Sequence, residues 1–281
     1  MTARIRIGNQ TAISCADPLE PFRFAVHNGF DAFEWFSDKK EHDDGRISGW
    51  EESDMDAGAR QWVRDTGAAY DVLFTVHAPW QANPLDADGI PLLIRSIDFA
   101  RDIGADLVNL HLYMDDGPQG FVRALAPVLR HAAAAKLRIS LENTPQTTPD
   151  DFTRTFACLA ELPDVPAGVV GMCLDIGHAN LCPSTRNDFI RYVDLLDGVP
   201  IIHVHAHENR GDQDSHLTLF TGPSQEDDAG IRAFVERLQR RSYQGAVILE
   251  QWPDPPQLLV EAATRLRALL EYPSAPGAGP E

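Results

Sequence analysis

A chain of 281 residues with 43% hydrophobic and 23% charged side chains holds enough apolar material for a large core, which excludes disorder as its main state. Its 24 basic against 42 acidic residues give a formal net charge of −18. That balance disfavours a long nucleic acid as partner, because basic side chains supply most of that affinity. No stretch approaches the roughly 18 apolar residues of a membrane span, and residues 1–10 lack the apolar core of a secretory signal. The expectation is a cytoplasmic protein with no membrane contact.

Taken in chain order, strand-like apolar runs fall at residues 4–7, 31–36, 70–77, 107–112, 138–142, 169–175, 201–205 and 246–250. They are rich in Val, Ile, Phe and Leu, as strands buried on both faces are. Helical periodicity separates them at residues 90–103, 121–135, 150–162 and 231–241. Gly104 is placed to cap the first of these, and Asp150 after Pro149 to start the third, with its acidic group in the first turn. Residues 38–58 are long for a strand-to-helix connection. They read as a solvated acidic loop, with a lid or subunit contact as the alternative. Cys15, Cys158, Cys173 and Cys182 show no CxxC spacing and read as buried thiols.

Eight strand–helix units predict a single (β/α)8 TIM barrel, an α/β fold of about 250 residues. The barrel is assigned to residues 1–272, with a disordered Pro- and Gly-rich tail at 273–281. An open doubly wound sheet is the alternative, but no GxGxxG follows the first strand.

Polar residues of ligand type sit at the ends of the apolar runs. His77 ends YDVLFTVH, His111 ends DLVNLH, Glu142 ends LRISLE, Asp175 ends GVVGMCLD with His178 after it, and Glu250 ends GAVILE. A barrel gathers all C-terminal strand ends on one rim. Carboxylates crowded there without a counter-charge would be costly, and a divalent ion resolves that cost. In IIHVHAHEN, His203, His205 and His207 alternate along one face. At about 3.3 Å per residue they span too much strand to share one ion. His205 is the expected ligand, His203 a core or supporting residue, and His207 is left open between these roles. Asp214 and His216 form an Asp-x-His pair on the loop beyond.

The segments NGFDAFEWF, TVHAPW, VNLHLY, ISLENT, CLDIGHANL, HVHAHENRGDQDSHL and VILEQW, in this order and spacing, resemble the xylose isomerase-like TIM-barrel superfamily. That superfamily includes sugar and sugar-phosphate isomerases and epimerases and the endonuclease IV type of AP endonucleases. The isomerase branch implies one ion held by Glu142, Asp175, His205 and Glu250. The endonuclease IV pattern implies three zincs and adds His77, His111, His178, Asp214 and His216. The implied cofactor is therefore one to three ions of Zn, Mn or Mg. The reaction expected is proton transfer next to a polarised carbonyl, with Glu142 and Glu250 as the catalytic pair and a small sugar or sugar phosphate as substrate. The alternative is a multi-zinc phosphoesterase acting on a small phosphodiester or phosphosugar. Glu34, Trp80, His207, Arg210 and Trp252 are expected to contact substrate, and Trp35 to join the two other tryptophans in an apolar wall. Two departures from the superfamily's pattern stand out. His207 and Glu208 replace the Asp and Asn of many relatives, and LTLFTGPSQ replaces a Gly-rich stretch. A homo-oligomer is left open.

Overall fold

The computed structural model describes residues 4–11, 15 and 17–271; the tail assigned to 273–281 lies outside the described residues. In chain order the first elements are β1 (Arg6–Gln10), α1 (Leu19–His27), β2 (Ala32–Phe36), β3 (Lys40–Glu41), β4 (Ile47–Ser48) and α2 (Ala57–Tyr70). Next come β5 (Leu73–His77), α3 (Gly89–Ile103), β6 (Leu107–His111), α4 (Gly117–Ala134), β7 (Arg138–Glu142) and α5 (Pro149–Ala160). The chain ends with β8 (Val170–Asp175), α6 (Ile176–Leu181), α7 (Phe189–Leu195), β9 (Ile201–Ala206), α8 (Ala229–Arg240), β10 (Ala246–Leu249) and α9 (Gln257–Glu271).

Parallel strands close a barrel in the order β1-β10-β9-β8-β7-β6-β5-β2. The seam is the β1–β10 pairing, from Arg6 opposite Ala246 to Asn9 opposite Leu249. Each strand serves two cores. In β2 all five residues are buried; Phe33 and Trp35 point outward into an aromatic layer with Phe22 and Phe74, ring centroids 4.8–6.0 Å apart. Inside the barrel, Ala32, Ala246 and Ile248, with Leu73, form a small separate apolar cluster. Among the described residues no helix is long and apolar enough to cross a membrane.

The expected boundaries shift for local reasons. The first strand runs over Arg6–Gln10, not residues 4–7, because polar Asn9 and Gln10 are buried in the ladder, where apolar patterning does not point. Tyr70 belongs to α2, not to the following strand: Asp71 takes a left-handed conformation (φ 54°) and ends that helix. α5 begins at Pro149 behind a capping box, in which Thr148 and Asp151 each accept the other's backbone N–H. Gly104 ends α3 at φ 75°, as its sequence position predicts. Cys173 and Cys182 are buried, whereas Cys15 and Cys158 remain partly exposed, which corrects the expectation of four buried thiols.

The segment after β2 is solvated only over its hairpin, where residues 40, 41 and 43–47 are exposed. β3 and β4 pair antiparallel through Lys40–Ser48 and Glu41–Ile47. Beyond them Trp50 is 1% exposed and packs on Trp35 and Phe99. The buried Glu52 carboxylate accepts from Ser37 Oγ at 2.8 Å, Ser96 Oγ at 2.9 Å and Arg95 Nε at 3.1 Å. The acidic character that suggested solvation instead supplies an anchor, because these partners satisfy the charge. Trp50→Ala is expected to cost about 3–5 kcal/mol of unfolding free energy, read from urea midpoints at unchanged slope. A loss under about 1 kcal/mol would show that the segment is loosely held.

Candidate functional site

Strand alternation builds the site. Lateral neighbours around the lumen are Glu34–Thr75, His77–Asn109, His111–Glu142, Glu142–Cys173 and Asp175–His205. The donors foreseen at separate strand ends therefore share the barrel interior and its C-terminal mouth.

The inner donor group is His77, Glu142, His205 and Glu250, whose ligand-type atoms all lie within 4.8 Å of one another. Glu142 Oε2 is 3.1 Å from His77 Nε2 and 3.3 Å from His205 Nδ1, and Glu250 Oε2 is 3.4 Å from the same nitrogen. Asp175 Oδ2 lies 3.9 Å from His205 Nδ1, while Asp175 with His178 and Glu142 forms a second such group. His111 Nε2 stands 3.5 Å from Glu142 Oε1. An outer group joins His178, His207, Asp214 and His216: Asp214 Oδ2 is 3.0 Å from His178 Nε2 and 3.2 Å from His216 Nε2.

These donors fit a divalent ion. Tetrahedral ligands about 2.0–2.2 Å from zinc stand about 3.3–3.6 Å apart, close to the 3.1–3.4 Å between His77 and Glu142, Glu142 and His205, and His205 and Glu250. Glu142 Oε1, His205 Nδ1 and Glu250 Oε2 are buried without a hydrogen-bond partner, which is costly unless something else satisfies them. The imidazoles are also pre-oriented. His77, His178 and His216 place Nδ1 against backbone carbonyls of Ala78, Asn143 and Glu250, at 2.6, 2.8 and 2.9 Å. Donation from Nδ1–H fixes the ring and turns Nε2 toward the site. His205 is turned the other way: Nε2 lies 2.7 Å from Glu34 Oε1, and Nδ1 faces the carboxylates. His216 adopts a left-handed backbone, φ 44°, a strain that clusters at functional positions.

Without a cation these groups neutralise one another. Burial pushes the Glu142 carboxyl up, but the surrounding His205, His111 and His178 outweigh it and hold it well below the usual range. Burial likewise opposes charge on His178 and His205; Asp175, Asp214 and Glu142 overcome it for the first, and Cys173, Glu250, Glu142 and Glu34 for the second, and both are raised. For His216, burial is outweighed by Asp214 and Glu250, which lift it to about 10.

The predicted substrate contacts separate. Trp80 is 53% exposed, and its carbonyl accepts from the Tyr113 hydroxyl. Arg210 is exposed and lines a cavity of about 340 Å³ with Asn180, Asn187 and His207. Glu34 does not reach the mouth: it is fully buried, accepting from Thr75 Oγ1 at 2.8 Å and paired with His203 Nε2 at 2.7 Å. Trp252 packs edge-on against Phe24 of α1 at 5.1 Å, and Trp35 lies wholly in the outer aromatic layer. The apolar wall of three tryptophans is therefore not assembled, because Trp35 and Trp252 serve the helix–barrel interface. His207 is 99% buried, since only 1% is exposed, and offers no open surface at the mouth.

The family model described as xylose isomerase-like TIM barrel matches residues 22–269. The chain belongs to this family. It is 26% identical over 205 residues to an uncharacterized protein of Methanocaldococcus jannaschii, covering 64% of this chain and 65% of that protein, just under two thirds of its length. Among solved structures it resembles a D-tagatose 3-epimerase-like protein, with TM-score 0.72, 22% identity and coverage of 95% and 97% of the two chains. It also resembles an L-ribulose 3-epimerase, with TM-score 0.69, 19% identity and 95% coverage of each chain. At these identities the solved structures establish a shared fold.

Within the family's barrel, three supporting residues escaped the sequence reading. Asn109 donates from Nδ2 to Glu142 Oε2 while its Oδ1 accepts from Ser140 Oγ at 2.7 Å. Asn143 clamps the end of β8, exchanging 2.8 Å hydrogen bonds with the backbone N–H and carbonyl of Asp175. The signal for the first pair was present: Asn109 and Ser140 each precede a donor by two positions and so share its face. Asn143 carried no periodic signal, because it lies beyond the strand.

Proposed function

We propose that the chain is a divalent-metal-dependent sugar isomerase or epimerase. The observation that carries this reading is the convergence of Glu142, Asp175, His205 and Glu250 at a barrel mouth, with buried polar atoms left for a cation. The epimerases among proteins of the same fold support the substrate class. A bound divalent ion would supply charge neutralisation and polarise a substrate carbonyl or hydroxyl oxygen.

The chain's own residues divide the remaining work. Glu142 is 0% exposed and surrounded by Asn109, His77, His111, His178 and His205, an environment that holds the carboxylate ionised. Glu250, 6% exposed, is the less enclosed of the pair and is assigned the proton taken up and returned at the substrate. Trp80, at the rim, covers the C–H face of a sugar, and Arg210 binds a hydroxyl or phosphate oxygen.

A second reading, hydrolysis of a small phosphoester, draws on the outer group of His178, Asp214 and His216. Together with the inner group it provides positions for more than one ion, the arrangement that activates water and stabilises a leaving oxygen. The two readings separate by product. Zinc-, manganese- or magnesium-loaded protein incubated in D2O with a panel of ketoses, aldoses and their phosphates is expected to place deuterium next to the carbonyl, seen by NMR. Phosphate release without deuterium incorporation would favour the hydrolase. Neither product across the panel, with metal bound, would overturn both readings.

A further inference from the structure

His207 belongs to two donor groups by distance, yet its surroundings differ from those of the other imidazoles. Its ring stacks on His216 with centroids 4.0 Å apart and planes 10° from parallel. Two stacked, nearly parallel rings direct their in-plane lone pairs along separate planes, so His207 and His216 do not aim at one point. The Nδ1 of His207, like that of His205, is buried without a partner, whereas backbone carbonyls hold Nδ1 of His77, His178 and His216. The Nε2 of His207 is 3.1 Å from Asp175 Oδ2, against 3.8 Å from both Asp214 Oδ1 and Glu250 Oε2. The ring also lies against Gly177, where a Cβ would come within 2.0 Å of Cε1.

We infer that His207 is a positioning residue and not a metal ligand. It donates Nε2–H to Asp175 and holds the flat face of His216, and so ties the loop carrying Asp214 and His216 to the end of β8. Gly177 leaves the space this ring requires, because a side chain there would collide with the imidazole. This inference rests on the metal reading above. It explains how an exposed loop can present donors at fixed distance from a rigid barrel: outer-sphere partners of this kind typically change metal affinity about 10–100-fold.

The test is zinc titration of metal-stripped protein against a chromophoric chelator, with folding followed by circular dichroism. His207→Ala is expected to bind the wild-type number of zinc ions at saturation, but about 10–100-fold more weakly. His207→Phe cannot ligate but keeps a flat ring against His216, and is expected to recover most of that loss. Gly177→Ala keeps the imidazole but displaces it, and should weaken zinc as His207→Ala does. Loss of a full equivalent in His207→Ala, unrecovered by His207→Phe, would make His207 a ligand and overturn the inference. Unchanged affinity in His207→Ala would overturn it too. Wild-type protein that binds no zinc would instead remove the metal reading, and this inference with it.

Discussion

Glu142→Gln is expected to lower turnover on a verified substrate by about 10³-fold or more, equivalent to about 4 kcal/mol of transition-state stabilisation, while the barrel stays intact. The substitution is nearly isosteric but removes the charge that meets His77, His205 and His178 at 3.1, 3.3 and 3.4 Å. Asn109 still has an oxygen to bind, so the lumen does not lose its packing. Zinc affinity should fall alongside activity, because Glu142 borders the inner group and the Asp175–His178 group alike. Steady-state kinetics, chelator competition and circular dichroism check the three parts separately. Activity within tenfold of wild type, with tight metal, would remove Glu142 from the centre of the mechanism.

Chelation should lower the melting temperature by an amount that grows with pH. In the metal-free protein, His216 is raised to about 10, from about 6.5 in an unfolded chain. Its contribution to stability is complete below about pH 6.5 and is lost as pH rises toward about 10. The raised His178 and His205 act in the same direction. A metal needs these imidazoles deprotonated, so its affinity climbs over the same interval. Saturation at about 1,000 times Kd adds about 4 kcal/mol, which in a domain of this size is of order 10 °C. Melting curves with excess zinc and with EDTA, from pH 6.5 to 9, should therefore diverge. Parallel curves would show that no ion couples to these histidines.

Much of the fold was legible because parallel strands covered on both sides must be continuously apolar, and eight such runs separated by helical segments leave few topologies. The donors were legible for a related reason: a charged residue closing an apolar run stands out. What patterning could not resolve were places where polarity is satisfied by distant partners. Asn9 and Gln10 extend β1 although they are polar, and Glu52 anchors a segment whose acidity read as exposure. Trp35, Trp80 and Trp252 were read alike, yet Trp80 is exposed, Trp252 is only partly covered by Phe24 of α1, and Trp35 is buried in the outer aromatic layer.

The linear chain by itself determined which chemistry is available, because side-chain type and a two-residue period decide what each strand can deliver to the lumen. Only the tertiary structure decided how it is presented. His178 and His205 have the same two nitrogens, but the Asn143 carbonyl turns one ring and Glu34 lies against the other. For these two rings orientation depends on contacts between residues remote in sequence, and those partners meet only when the barrel closes.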